Sequence, residues 1–313
     1  MLIDCGDVWE IRYLDNNNPG TKWHKILSKQ FPNSLISFGW TEDGKKAFIS
    51  VRSSTNPGDF YLLNTEKKSV NYIGSSNQSL DLELLSESKL FMFTSRDGKQ
   101  LQGIYSHPKN IQGNVPLVVI PHGGPKGPAD VPLYDPWVQV LNSFGYATLK
   151  VNFRSSGGYG DLLEDAGDKA WGTRVIDDIT DGVTWVLNNK QVKADKICVI
   201  GASFGGYATM MSLIREPDLY QCGVPMMGVY DLSIMFTRDR ADASRGKARY
   251  MEDYRKNVIG HGDDEHMLFH SPLNNADKVR DPVFFIHGAE DKRVPIIHME
   301  RMQSALSLSL IHI

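Results

Sequence analysis

The chain has little cysteine: Cys5, Cys198 and Cys222 among 313 residues. So sparse and odd a set excludes a disulfide-stapled secreted scaffold. Cys198 lies in an apolar run and reads as a small buried hydrophobe, so a reducing compartment, the cytoplasm, is expected. The chain also lacks any apolar run near the roughly 20 residues that a spanning helix needs, and no secretory signal opens it. No membrane partner is expected. An excess of one charge is missing too: 34 Lys and Arg against 37 Asp and Glu leave a net charge of −3, which gives no electrostatic basis for binding nucleic acid. Metal-ligand spacing is likewise absent. His261 and His266 stand in a polar loop without the HExxH interval, and Asp177, Asp178 and Asp181 read as a solvated helix face or as partners of Arg174. Neither a metal nor a cofactor is expected.

What is present is a core and a motif. With 41% hydrophobic residues, the chain can bury an α/β core plus a smaller appendage. The motif is Gly201-Ala202-Ser203-Phe204-Gly205-Gly206-Tyr207. It joins an apolar run, Lys196 to Ile200, to a segment from Tyr207 to Ile214 that reads as a helix. A Ser on a glycine-flanked strand-to-helix turn stands exposed above a sheet, and helix N-terminal N–H groups face any charge that develops there, so Ser203 is a candidate nucleophile. A second apolar run, Leu117 to Ile120, ends in Pro121-His122-Gly123-Gly124-Pro125. Backbone N–H groups of Phe204 and Gly124 fit the two donors of an oxyanion hole, although His-Gly-Gly is also what a flexible loop contains. A third, Pro282 to Ile286, reads as a buried strand opening onto Glu290 and Asp291. In the order Ser, Asp, His this is the place of the acid that orients a base, and Asp291 is preferred. Either acid could instead pair with Lys292 or Arg293.

Between these segments, Ala147 to Phe153 and Cys222 to Gly228 read as strands and Thr173 to Asn188 as an amphipathic helix, an alternation that suits a mostly parallel sheet. Arg154 reads as a tie for the loop after its strand, or else as a contact to substrate carbonyls.

From about Phe91 to Leu306 the chain resembles the catalytic domain of prolyl oligopeptidase family serine peptidases, in the acylaminoacyl-peptidase-like and dipeptidyl-peptidase-like branches. The resemblance rests on His122-Gly123-Gly124-Pro125, Asn152 to Gly160, Trp171-Gly172 with Asp177-Asp178, the Ser203 motif, Ser271-Pro272, and His287-Gly288 through Val294-Pro295, in that order. The family pattern has Gly where this chain has Ser155. The resemblance implies an α/β-hydrolase fold hydrolysing short peptides through an acyl-enzyme on Ser203. The same fold also supports carboxylesterases.

The general base is the gap. His24 and His107 precede the sheet core, His122 and His287 sit within turn motifs, and His261, His266 and His270 lie before Asp291. His298 follows Asp291 by only 7 residues, on a helix, and His312 by 21. A helix, a strand and their loops need roughly 25 to 35 residues before the base. The catalytic His is therefore expected to be absent from this chain, which alone should have little activity. The last residues, Leu308 to Ile313, resemble the translation of a transposon adapter, so residues 81–313 read as a C-terminally incomplete hydrolase domain. Residues 1–80 read as short antiparallel strands with turns at Asn16–Gly20, Asp43-Gly44 and Asn56–Gly58: one propeller blade and part of another. That makes them the remnant of a β-propeller, which in the resembling family restricts entry to small peptides. The second reading is a complete, non-catalytic binding relative. Assembly into a homo-oligomer is left open.

Overall fold

The computed structural model describes residues 2–5, 9–235, 252–260 and 262–308; His261 and His312 lie outside them. The chain divides into two units, one of residues 1–91, 104–111 and 131–146, the other of residues 92–103, 112–130 and 147–313.

In the first unit β1 (Leu2–Cys5) pairs antiparallel with β2 (Trp9–Arg12). Next comes a helix, α1 (Pro19–Gln30), where a turn between strands was expected. Local chemistry permits the helix. Asn18 Oδ1 accepts the Gly20 N–H at 2.8 Å, and Pro19 sits in the first turn, where a missing N–H is harmless. Strands β3 (Leu35–Trp40), β4 (Lys46–Ser53), β5 (Asn56–Asn64) and β6 (Ser69–Ser75) then form an antiparallel sheet in chain order. Ala47, Ile49 and Val51 alternate inward along β4 and pack with Ile36, Leu63 and the Leu27 side chain of α1. The tight turn is Ser54-Thr55, because Ser53 opposes Asn56. Asn56 starts β5 instead of forming the turn: its Oδ1 accepts the Gly58 N–H and its Nδ2 donates to Asp59.

The remaining elements are β7 (Ser88–Thr94), β8 (Gln100–Ser106), β9 (Val115–Val119), α2 (Pro136–Ser143), β10 (Ala147–Asn152), α3 (Asp161–Glu164), α4 (Arg174–Asn189), β11 (Val192–Ala202), α5 (Phe204–Arg215), β12 (Cys222–Met226), α6 (Asp264–His270) and α7 (Ile297–Leu308). Six strands make one sheet in the order β12-β11-β9-β10-β8-β7, and β10, β9, β11 and β12 run parallel to one another. Parallel strands covered by helices bury both faces, which is why β9 and the second half of β11, from Ile197, are apolar runs. Helix α4 turns Val175, Ile179, Val183 and Val186 inward. Helix α5 is buried at every position from Phe204 to Ile214, so it lies inside the core and shows no polar face.

Three expectations are corrected. Cys198 is not a simple buried hydrophobe: it lies half-buried, directly opposite Cys222 on the neighbouring strand, and the two are joined as a disulfide. Pro282 to Ile286 is not a buried strand. It touches β12 through two isolated bridges at the open edge of the sheet, leaving Phe284 68% and Ile286 43% exposed. The acids of α4 pair with other arginines than Arg174. Asp178 is fully buried against Arg154, Asp181 binds Arg96, and Asp177 receives both Arg96 and Arg215. Sequence places Arg174 nearest, but α4 turns these acids toward residues that only the sheet brings close.

Candidate active site

Ser203 sits between β11 and α5 with φ 58° and ψ −121°, a left-handed backbone that a non-glycine residue adopts only when its surroundings impose it. The surroundings here are close backbone crossings. A Cβ on Gly201 would lie 2.5 Å from the Gly205 carbonyl oxygen, and one on Gly205 would lie 2.2 Å from that of Pro121. Glycine at both positions lets the turn close, and the Ser203 N–H donates to the Met226 carbonyl at 2.9 Å, fixing the turn to β12. Phe204 opens α5, and its N–H belongs to the first turn, whose donors have no partner inside a helix.

Gly124 follows β9, the strand beside β11. Its φ of +130° lies in the region reserved for glycine, and a Cβ there would press on Pro128 at 3.0 Å. Gly124, Ser203 and Phe204 line one cavity of about 250 Å³, with Arg293 and Val294 on the same wall. Those last two residues are held by Asp291, whose Oδ1 accepts the N–H groups of Arg293 at 2.8 Å and Val294 at 2.9 Å. Three of the four expected site residues thus meet on one cavity, and the fourth pins the turn that supplies its wall.

Arg154 has the structural role. It is buried, donates to Asp178 from Nε at 2.7 Å and Nη2 at 2.6 Å, and forks onto Asp97 at 2.9 and 3.0 Å. Its hydrogen bonds, followed by that of Ser95, hold the Asp97 carboxyl well below the usual carboxylate range. Beside it Ser155 has φ 88° and no exposure, and its Oγ is buried without a partner. The Gly of the family pattern suits that backbone better.

The described histidines of the second unit are each engaged. His122 stacks on Phe153, its Nδ1 faces the Gly123 carbonyl and its Nε2 meets Ser156 Oγ at 2.9 Å. Since a carbonyl only accepts, Nδ1 carries the proton and Nε2 takes the Ser156 hydroxyl. His287 donates from Nε2 to the Val294 carbonyl, and His266 from Nε2 to that of Ile259. His270 Nδ1 accepts the Gly172 N–H. His298, set aside on sequence grounds because it follows Asp291 too soon, lines the same cavity as Ser203. Its Nδ1 accepts the N–H groups of Tyr230 and Asp231, both at 3.3 Å. A neutral imidazole with Nδ1 as acceptor carries its proton on Nε2 and cannot take one from a serine there. Burial pushes the His270 and His298 imidazoles down to about 4. Sequence gave no signal for His298 beyond its spacing, because the backbone that fixes its tautomer lies 67 residues upstream.

The sequence profile of the prolyl oligopeptidase family matches residues 133–311. Dipeptidyl aminopeptidase BIII of Pseudoxanthomonas mexicana is 28% identical over 277 residues, covering 85% of this chain and 40% of that protein. The acylamino-acid-releasing enzyme of Mus musculus is 31% identical over 191 residues, 59% of this chain and 25% of that one. Among solved structures, a puromycin hydrolase superposes with a TM-score of 0.74 at 24% identity, covering 88% of this chain and 42% of its own. The acylaminoacyl peptidase of Pyrococcus horikoshii gives 0.72 at 27% identity, with 88% and 43% covered. The chain spans between 25% and 43% of the length of these proteins. The fold of the second unit is the α/β-hydrolase fold, and a propeller remnant ahead of it is consistent with these neighbours.

Proposed function

The chain belongs to the prolyl oligopeptidase family, and from that premise we propose that it is the peptidase part of an enzyme that hydrolyses short peptides through an acyl-enzyme intermediate. The observation that carries this reading is the left-handed Ser203 on a buried strand-to-helix turn, sharing one cavity with Phe204 and Gly124. Ser203 Oγ attacks the scissile carbonyl. The N–H groups of Phe204 and Gly124 receive the oxyanion, and Asp291 orients the imidazole that takes the serine proton. That imidazole is none of the described histidines, each of the second unit's being committed elsewhere, so this chain alone turns over slowly. A missing base forfeits most catalysis but leaves the residue due to the oxyanion hole and binding. Residues 1–80 act as the remnant of an entry-restricting β-propeller and residues 81–313 as the peptidase domain. The Cys198–Cys222 disulfide removes the argument from cysteine for a reducing compartment, and light scattering would test for a homo-oligomer.

A fluorophosphonate probe in excess tests the proposal. Slow labelling that disappears in Ser203→Ala supports it, and labelling that survives the substitution refutes it. A folded protein that takes no label favours the second reading, a non-catalytic relative, which the commitment of the described histidines also favours.

A further inference from the structure

The cavity beside Ser203 is walled by rings: Trp171 meets Phe204 edge-on at 4.9 Å and Tyr207 at 5.9 Å between centroids. Such walls suit an aromatic guest, which packs edge-to-face or offset against them. Two polar groups at this cavity have other duties, and the buried Trp171 Nε1–H is a donor without a partner. Lys126 is bound to Asp165 and Asp168, at 2.7 and 3.0 Å, and the hydroxyl of Ser203 is the nucleophile. His298 differs. It is 2% exposed, and its ring is gripped at Nδ1 by the Tyr230 and Asp231 N–H groups. Arg301, one turn along α7, holds the same segment through Asp231 at 2.9 Å. The ring therefore has one orientation and one tautomer, with the Nε2–H left to donate. Nε2 has no protein partner among the described residues, and His298 is part of the cavity lining.

We propose that the His298 Nε2–H is a specificity-determining donor that selects, in the cavity beside Ser203, an aromatic side chain bearing a hydrogen-bond acceptor, a tyrosyl residue over a phenylalanyl one. Assigning that side chain to the residue whose carbonyl is attacked rests on the Ser203 reading above; the binding preference itself does not. An unfilled polar donor in an apolar wall penalises the guest that cannot satisfy it, so a single hydroxyl discriminates two otherwise equal rings.

The test is binding, on the chain of 313 residues, so that it stands apart from turnover. N-acetyl-tyrosinamide and N-acetyl-phenylalaninamide are titrated while ¹⁵N resonances of the histidine rings are followed. The expected result is a His298 signal with Nδ1 unprotonated and Nε2 protonated, shifting only with the tyrosyl ligand, and a Kd about 5- to 10-fold lower for that ligand, the worth of one neutral hydrogen bond. His298→Phe abolishes the preference and leaves phenylalanyl binding in place; His298→Gln, which can both accept and donate, retains it. Equal affinities in the unaltered protein, no binding of either ligand, the opposite tautomer, or a preference that survives His298→Phe each overturns the proposal. If His298→Phe does not fold, the ligand pair and the nitrogen shifts of the unaltered protein decide alone. Loss of fluorophosphonate labelling with the preference intact would sink the peptidase reading and leave this one standing.

Discussion

Replacing Ser155 by glycine should stabilise the protein. At φ 88° a side chain is strained, and relieving a left-handed backbone is worth about 1–2 kcal/mol. The Ser155 hydroxyl is buried with no partner, and removing such a group recovers about 1–3 kcal/mol. Against this stand the larger conformational freedom of glycine in the unfolded chain, about 0.4–1 kcal/mol, and the lost burial of one carbon, about 0.8 kcal/mol. The net centres on a gain of about 2 kcal/mol, or a rise in Tm of about 4–8 °C at the scale of larger chains. Urea denaturation followed by the fluorescence of Trp171, 3% exposed, reads it as a higher midpoint at unchanged slope. A midpoint that stays or falls refutes the reasoning, because the hydroxyl would then be satisfied in solution. The complementary change makes a control: a Cβ on Gly167 would stand 1.8 Å from Ser155 Oγ, so Gly167→Ala should destabilise the original protein and be better tolerated with Ser155→Gly.

Arg154→Met should cost about 3–5 kcal/mol, because it leaves Asp178 buried and unpaired; adding Asp178→Leu should recover part of that loss, and equal denaturation midpoints for single and double variants would disprove the account. Acid should weaken the fold in two stages visible in a pH series of urea midpoints. His270 and His298 titrate lower folded than unfolded, so their contribution is full above about pH 6.5 and is lost as pH falls toward about 4. Asp97, also depressed, contributes fully above its unfolded pKa and loses that contribution below it; a flat midpoint between pH 7 and 4 would contradict the histidine part. Asp291→Asn, placed in a longer chain that supplies the base, should lower kcat by about three to four orders of magnitude with folding retained. Titration of denatured, unreduced protein should find one thiol, Cys5, because Cys198 and Cys222 are bonded; three thiols would refute the bond.

The parallel sheet was legible because its strands carry their own evidence: the apolar runs before His122 and Ser203 can only be covered on both faces, and Gly201 and Gly205 announce a crossing too tight for a side chain. Helix α1 was not. Asn18-Pro19-Gly20 begins a helix with the residue types that also make a turn, and only Leu27, packed under the β4 strand, decides between them. The acids of α4 failed for a related reason: their arginines are 24 to 85 residues away along other elements, and no local spacing encodes that. At the site, the tight turns that carry Ser203, Phe204 and Gly124 were readable from their glycines, whereas the tautomer of His298 depends on which backbone its ring faces, a tertiary fact.

The strand order has a consequence for how this protein can change. β9 delivers Gly124 and β11 delivers Ser203, and the two are hydrogen-bonded neighbours. The turns that carry them therefore spring from strands one interstrand repeat of about 4.8 Å apart, a constant of the peptide backbone that no side-chain substitution alters. The rings and the imidazole around them enjoy no such protection. Substitution can redraw the walls of this cavity while the spacing of the strands beneath it stays fixed.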